Sequence, residues 1–299
     1  MDDRIRAAFD AIHAEEALKE HTKAALAARQ RPAVRRRRLA PLLACLALVV
    51  ALLGGGGWLW FTPTASVSVD INPSLELRLN RFSRVVAVEG ANADGQALAQ
   101  ELRALGGQVG LYPGDVAERA QVDQVMEGFL QDFGHLDVLV CNAGLARQEL
   151  FTDISLDSWR QMLGVNLDGV FHCCQAALPH MISRKAGKII TLSSMWGQVG
   201  ASCEVAYSAA KAGVIGLTRA LAKEVGPSGI TVNCVAPGVI DTAMNGALSP
   251  ETRAALAEET PLERLGTPED VAQAIWFLAS PAGDFFTGQV LAPNGGFII

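Results

Sequence analysis

The chain has 299 residues, half of them hydrophobic, with a mean hydropathy of +0.24, enough for a large core with apolar surface left for a second environment. A net charge of -6 and a pI near 5.4 argue against a nucleic-acid binder, because neutralising phosphates needs a basic surface. The cysteines Cys45, Cys141, Cys173, Cys174, Cys203 and Cys234 show no C-x-x-C spacing, which argues against a zinc site and against a disulfide framework.

In residues 1–38, Ile5, Phe9 and Ile12 recur at helical spacing among charged residues. This predicts an amphipathic cytoplasmic arm whose thin apolar stripe suits a partner protein. From Leu39 to Phe61 no residue is charged, and the stretch exceeds the about 20 helical residues that cross a bilayer core. A transmembrane helix over 39–61 is the reading, since too many polar residues precede it for a cleaved leader. Arg35 to Arg38 abut its N-terminal side, which places residues 1–38 in the cytoplasm and the rest outside, a single-pass membrane topology. Gly54 to Gly57 follow no strand and lead into no Lys-Ser/Thr, so they read as a softened helix rather than a phosphate loop.

Beyond the membrane segment, Val67, Val69 and Ile71 alternate with Ser66, Ser68 and Asp70, and Leu75, Leu77 and Leu79 alternate with Glu76, Arg78 and Asn80. A turn at Asn80 to Ser83 and a third strand at Val85 to Val88 complete a predicted β-meander within 62–95. So few residues bury too little apolar area to stand alone. The run VSVDINPSLELRLNRFSRVVAVEGAN, Val67 to Asn92, behind one membrane helix and a charged arm, resembles the start of membrane-bound anti-sigma factors of the RsgI family. That resemblance covers about residues 1–95. It implies a sigma factor as partner of residues 1–38 and a cleavable bond at Asn72-Pro73.

From about Gln96 the pattern changes to strands alternating with helices, which predicts βαβ units and a parallel sheet. Helices are predicted over Gln96–Leu105, Gln121–Phe133, Ser155–Arg184, Tyr207–Val225 and Pro268–Leu278, and strands over Gln108–Tyr112, Leu136–Val140, Lys188–Leu192, Ile230–Val235 and Gln289–Leu291. Within this frame Tyr207 and Lys211 stand one helical turn apart, on one face, with Ser194 upstream at the end of a strand. A tyrosine with an ordinary pKa of about 10 is a poor proton shuttle at neutral pH, and a nearby lysine cation favours its phenolate. Tyr207 therefore reads as general acid/base, Lys211 as the group that tunes it, and Ser194 as the donor that orients a carbonyl and holds developing oxyanion charge.

Asn142-Ala143-Gly144 after a strand, Asn166 in V-N-L-x-G, Ser194, Y-S-A-A-K and Pro237-Gly238 with Ile240 and Thr242 together resemble the short-chain dehydrogenase/reductase family over about residues 96–299. The resemblance implies a Rossmann-like, doubly wound α/β parallel sheet. It also implies catalytic roles for Ser194, Tyr207, Lys211 and Asn166, the last supporting a proton relay through water. Cofactor contacts follow for Asp115 at the adenine, for Asn142, Ala143 and Gly144, for Tyr207 and Lys211, and for Pro237, Gly238, Ile240 and Thr242 around the carboxamide. Ser193 to Lys211 and the ending TGQVLAPNGGFII look like bacterial 3-oxoacyl-[acyl-carrier-protein] reductases and elongation factor P 5-aminopentanone reductases. That likeness implies NADPH, an acyl-carrier-linked or small carbonyl substrate, a homotetramer and cytoplasmic relatives. Trp196 and Cys203 flank the site, where they either shape the pocket or pack the core. His172, His180 and the Cys173-Cys174 pair read as helix packing.

Family members open with a strand, a T-G-x-x-x-G-x-G turn and a helix whose N-terminus receives the pyrophosphate. Here Val85–Val88 leads into Glu89-Gly90-Ala91-Asn92-Ala93-Asp94-Gly95, with glycines out of place and carboxylates where phosphate would lie. The expected fold thus lacks its first strand-loop-helix unit, and the second strand, which selects NAD or NADP, is read as missing too. A reductase with a compromised dinucleotide site, a membrane anti-sigma fragment with a passenger domain, and a fusion reading frame without selected function are the competing expectations.

Overall fold

A computed structural model of the chain describes residues 65–70, 74–79, 85–87, 99–100, 102–104, 106–246 and 248–299, the first three of these stretches by their backbone alone. The chain divides into two compact units, Met1–Trp60 and Phe61–Ile299, and the described residues belong to the second. The predicted arm and membrane helix over 1–61 lie outside the described residues, among which no helix is long and apolar enough to cross a membrane.

Strands β1 (Ala65–Asp70) and β2 (Ser74–Leu79) pair antiparallel, with Val67 opposite Leu77. The predicted third strand does not continue this meander. β3 (Val85–Ala87) pairs parallel with β4 (Val109–Leu111), Val86 opposite Gly110. Parallel neighbours need a crossover connection, and residues 99–100 and 102–104 between them are helical. The second strand of the alternating fold is therefore present, contrary to the reading in which it was lost.

A second sheet runs β5 (Val138–Cys141), β6 (Gly187–Leu192), β7 (Ile230–Val235) and β8 (Val290–Leu291), parallel throughout. Successive side chains point to opposite faces, and both faces are covered. On one side Cys141, Ile189, Val232 and Cys234 pack with Phe129, Ala177, Met181, Val214 and Val225 from α1 (Arg119–Phe133), α3 (Gly169–Arg184) and α5 (Val205–Val225). On the other, Ile190, Leu192 and Val235 meet Val271, Ile275 and Leu278 of α7 (Pro268–Ala279). Two covered faces explain the near-continuous apolar runs of β6 and β7.

Helix boundaries follow local chemistry. Ser155 accepts a bond from the Ser158 amide to open α2 (Leu156–Leu163), and Ser249 does the same for Thr252 at α6 (Pro250–Glu259). Thr267 and Asp270 form a reciprocal capping box at α7, with Pro268 in the first turn, where its missing N-H costs nothing. The single long helix predicted over Ser155–Arg184 is divided by a π-turn at Gly164–Asp168, the segment that carries Asn166. Such turns widen the backbone spiral by one residue and recur at functional sites.

Candidate active site

The carboxyl ends of β5, β6 and β7 open into a cleft, the place where open parallel sheets hold their ligands. Its walls include Asn142, Gly144, Asn166, Ser194, Tyr207, Lys211, Pro237, Gly238, Ile240 and Thr242, all expected from the sequence. Leu192, Ser193, Met244, Asn245 and Val271 also line it. Ser193 carried a usable signal, its place beside Ser194, whereas Met244, Asn245 and Val271 arrive only through tertiary folding. Asp115 and Ala143 are outside the lining. Asp115 is exposed beyond β4, its carboxylate taking the amide of Ala117 at 2.9 Å and its own amide bonding Gln121 Oε1 at 2.9 Å.

Ser194 precedes the short helix α4 (Met195–Val199), and its Oγ accepts the Trp196 amide at 3.2 Å. The Met195 amide is tied to the Pro237 carbonyl at 2.9 Å, which joins the ends of β6 and β7. α4 lies directly on α5. A Cβ on Gly197 would stand 2.7 Å from the Lys211 carbonyl carbon and 2.6 Å from Ser193 Oγ, so only glycine allows this approach. Ser193 Oγ in turn donates to the Lys211 carbonyl at 2.8 Å.

Tyr207 and Lys211 are both buried on α5, and both line the cleft with Ser194. Lys211 Nζ donates to the Leu192 carbonyl at 2.9 Å and stands 5.7 Å from the centre of the Tyr207 ring. The expected fall in the tyrosine's pKa is not what the site produces. Burial pushes Tyr207 up to about 12, opposed by its Ser194 bond and reinforced by the charge of Glu204. Burial also draws Lys211 down to about 8. Desolvation disfavours the charged form of each group, and it is the largest cause in both.

Asn166 is completely buried, and its side chain is fully engaged. Nδ2 donates to the carbonyls of Leu145 at 2.9 Å and Met162 at 3.0 Å, while Oδ1 accepts the Leu145 amide at 3.2 Å. The side chain thus fastens the Asn142–Leu145 loop to the π-turn. Trp196 meets Phe297 edge-on at 6.0 Å, so its ring is packed against the C-terminal segment. Cys203 takes a left-handed backbone, φ 61°, and its carbonyl accepts the Glu149 amide at 2.8 Å.

The residues present fit the nicotinamide end of a dinucleotide. Asn142 Nδ2 and Thr242 Oγ1 are buried polar atoms without a protein partner, and such atoms point to a missing ligand. Gly144 and Gly238 keep the floor open, since a Cβ would lie 2.9 Å from Asn166 Oδ1 in one case and 2.8 Å from Asn294 Cα in the other. The pyrophosphate end is different. In the doubly wound order 3-2-1-4-5-6 the first strand lies between the second and fourth, yet the outer edge of β5 has no partner strand among the described residues. What precedes β3 there is the β1–β2 hairpin, with β2 lying along α7.

Comparison with known proteins agrees with this geometry. The family described as enoyl-(acyl carrier protein) reductase matches residues 79–298, a match that begins ahead of the boundary read near Gln96 and takes in β3. The chain is 39% identical over 212 residues to the 3-oxoacyl-[acyl-carrier-protein] reductase FabG of Chlamydia pneumoniae, covering 71% of this chain and 86% of the relative. For the FabG of Thermotoga maritima the identity is 40% over 215 residues, 72% and 87% of the two chains. For that of Staphylococcus aureus strain Mu50 it is 38% over 232 residues, 78% and 94%. From β3 to the C-terminal strand, the chain belongs to the short-chain dehydrogenase/reductase family.

Proposed function

We propose that this chain is an NADPH-dependent carbonyl reductase of the 3-oxoacyl type whose proton-handling site is built and whose grip on the dinucleotide is weak. The observation that carries the first half is the convergence of Ser194, Tyr207 and Lys211 on one cleft beside two unpartnered polar atoms. The second half rests on the outer edge of β5, which has no partner strand among the described residues. The FabG relatives act, by their printed name, on acyl-carrier-protein-linked 3-oxoacyl groups, and that substrate class is the one inferred here.

Asn142, Gly144, Pro237, Gly238, Ile240 and Thr242 would hold a nicotinamide, which would supply the hydride when bound. The rest is the work of the protein's own groups. Ser194 Oγ donates a hydrogen bond to the substrate carbonyl oxygen and stabilises the charge that gathers there. Tyr207, with a pKa near 12, keeps its proton at neutral pH and gives it to that oxygen. Such a tyrosine suits reduction, because the reverse reaction would need it deprotonated. Lys211, with a pKa near 8, retains a proton at pH 7 with which to favour the phenolate left behind. Asn166 fixes the loop on which Asn142 and Gly144 sit.

The test is a titration of the purified full chain with NADPH by fluorescence, with reduction of an acetoacetyl thioester followed in parallel. Weak binding together with slow reduction that Tyr207→Phe abolishes supports the reading. Tight binding overturns the claim of a weak grip, and reduction indifferent to Tyr207→Phe overturns the assignment of the site.

Residues 1–61 keep their separate reading as a sigma-factor arm and membrane anchor. A pull-down with residues 1–38 that recovers no sigma factor sinks that part while leaving the reductase assignment untouched.

A further inference from the structure

The chain ends on a turn that touches three parts of the site without lining the cleft. It follows β8, and at its centre Asn294 is buried, with its side chain engaged entirely within the turn. Asn294 Nδ2 donates to the Ile298 carbonyl at 2.8 Å, Oδ1 accepts the Gly296 amide at 2.9 Å, and the Asn294 carbonyl accepts the Phe297 amide at 3.1 Å. A carboxamide offers donor and acceptor together, so this one residue closes the turn from both sides. Gly295 and Gly296 follow with left-handed backbone, φ 64° and 89°, which glycine adopts without steric cost.

Three contacts tie the turn to its surroundings. At the cofactor wall the Gly238 amide donates to the Pro293 carbonyl at 3.2 Å, and a Cβ on Gly238 would lie 2.8 Å from Asn294 Cα. Behind α6 the Leu262 amide donates to the Gly295 carbonyl at 3.2 Å, and a Cβ on Gly295 would lie 2.5 Å from Thr260 Cγ2. At α4 the Phe297 ring meets Trp196 edge-on, an arrangement that aromatic pairs prefer. Trp196 in turn packs against the cluster of Met162, Ala206 and Tyr207, and its amide donates to Ser194 Oγ at 3.2 Å. The turn therefore bears directly on Gly238 and, through Trp196, on Ser194. None of its residues lines the cleft, so its contribution there is placement rather than contact.

We propose that Asn294 and Phe297 are positioning residues for carbonyl reduction: Asn294 sets the Pro237-Gly238 wall, and Phe297 holds Trp196 so that Ser194 meets the carbonyl. This role rests on the reductase reading of the cleft, and its labour is divided. Releasing Asn294 disturbs both walls, because it frees Gly238 and lets Phe297 go. Releasing Phe297 disturbs only the wall that carries Ser194.

The test follows the full chain, without ligand, by amide hydrogen exchange and mass spectrometry, and measures NADPH affinity and acetoacetyl-thioester reduction beside it. In Phe297→Ala, faster exchange should be confined to the C-terminal turn and to the peptide covering Met195–Val199. Its kcat should fall by up to about 10²-fold, as a misplacement of about 1 Å does, while the Kd for NADPH holds. In Asn294→Ala the peptide covering residues 237–240 should also exchange faster, and Kd should rise roughly tenfold, about what one hydrogen bond contributes. Phe297→Tyr, which keeps the ring, should restore kcat. Exchange unchanged in these peptides, or raised evenly along the chain with a lowered Tm, overturns the proposal. So do a Phe297→Ala variant whose kcat and Kd shift together and a Phe297→Tyr variant that rescues nothing. A wild-type chain that reduces no thioester sinks the reductase reading, and the link between turn and walls is then upheld or overturned by exchange alone.

Discussion

Between Val138 and Leu291 four parallel strands share ladders of up to six residue pairs, with α1, α3 and α5 over one face and α7 over the other. Between Val85 and Leu111 two strands share three pairs, and no described strand joins them to the larger sheet. The first region carries Ser194, Tyr207 and Lys211 on the wall of the cleft; the second contributes none of the residues that line it. Their contrast teaches that this cleft is built by its own sheet. Ser194, Tyr207 and Lys211 are positioned by β6, α4 and α5, so they assemble whether or not the neighbouring unit is complete.

The sharpest way to break this contrast is to supply what the second region lacks. A strand, glycine-rich turn and helix grafted ahead of Val85 should tighten NADPH binding by on the order of 10³, taking about 1.5–3 kcal/mol for each hydrogen bond to a charged phosphate. An unchanged titration would show that the weakness lies elsewhere. Next, Tyr207→Phe in the grafted chain should lower the reduction rate by about 10²- to 10⁴-fold, the range of a lost general acid, with NADPH binding retained. A smaller test probes the first region's construction. Gly197→Val drives methyl groups into the α5 backbone and should cost about 1–3 kcal/mol in denaturant unfolding.

A pH series addresses the charge buried in that same region. Lys211 has its pKa lowered from 10.5 to about 8, so between those values the unfolded chain holds a proton that the folded chain does not. Stability should therefore rise with pH across that window, and Lys211→Met should flatten the rise. Tyr207, raised from 10.0 to about 12, acts in the opposite direction at higher pH, where stability falls. The smallest expected effect is at the capping box of α7. Thr267→Ala should lose about 1 kcal/mol, read as a modest drop in Tm.

Legibility in the sequence tracked how local each signal is. The strands Lys188–Leu192 and Ile230–Val235 were visible as apolar runs, and Tyr207 with Lys211 as a one-turn helical pair, because each is decided within a few residues. Val85–Val88 was legible as a strand, but its partner was not, since a three-residue strand can pair either way and only the connection to Val109 selects the parallel neighbour. The π-turn at Asn166 escaped notice for a related reason, as its flanking helices share one continuous periodicity. The direction of the Tyr207 shift was not legible because burial, a tertiary property, decides it.

The contact of α4 with α5 at Gly197 has a further consequence. Because Gly197 rests against the Lys211 backbone and Ser193 Oγ there, the spacing between Ser194 and Tyr207 is gauged by the α5 main chain and one serine hydroxyl. Substitutions that reshape the surrounding walls, at Met244 or Val271, can alter the shape of the cleft without changing that spacing. The pocket is free to drift while the ruler inside it stays the same length.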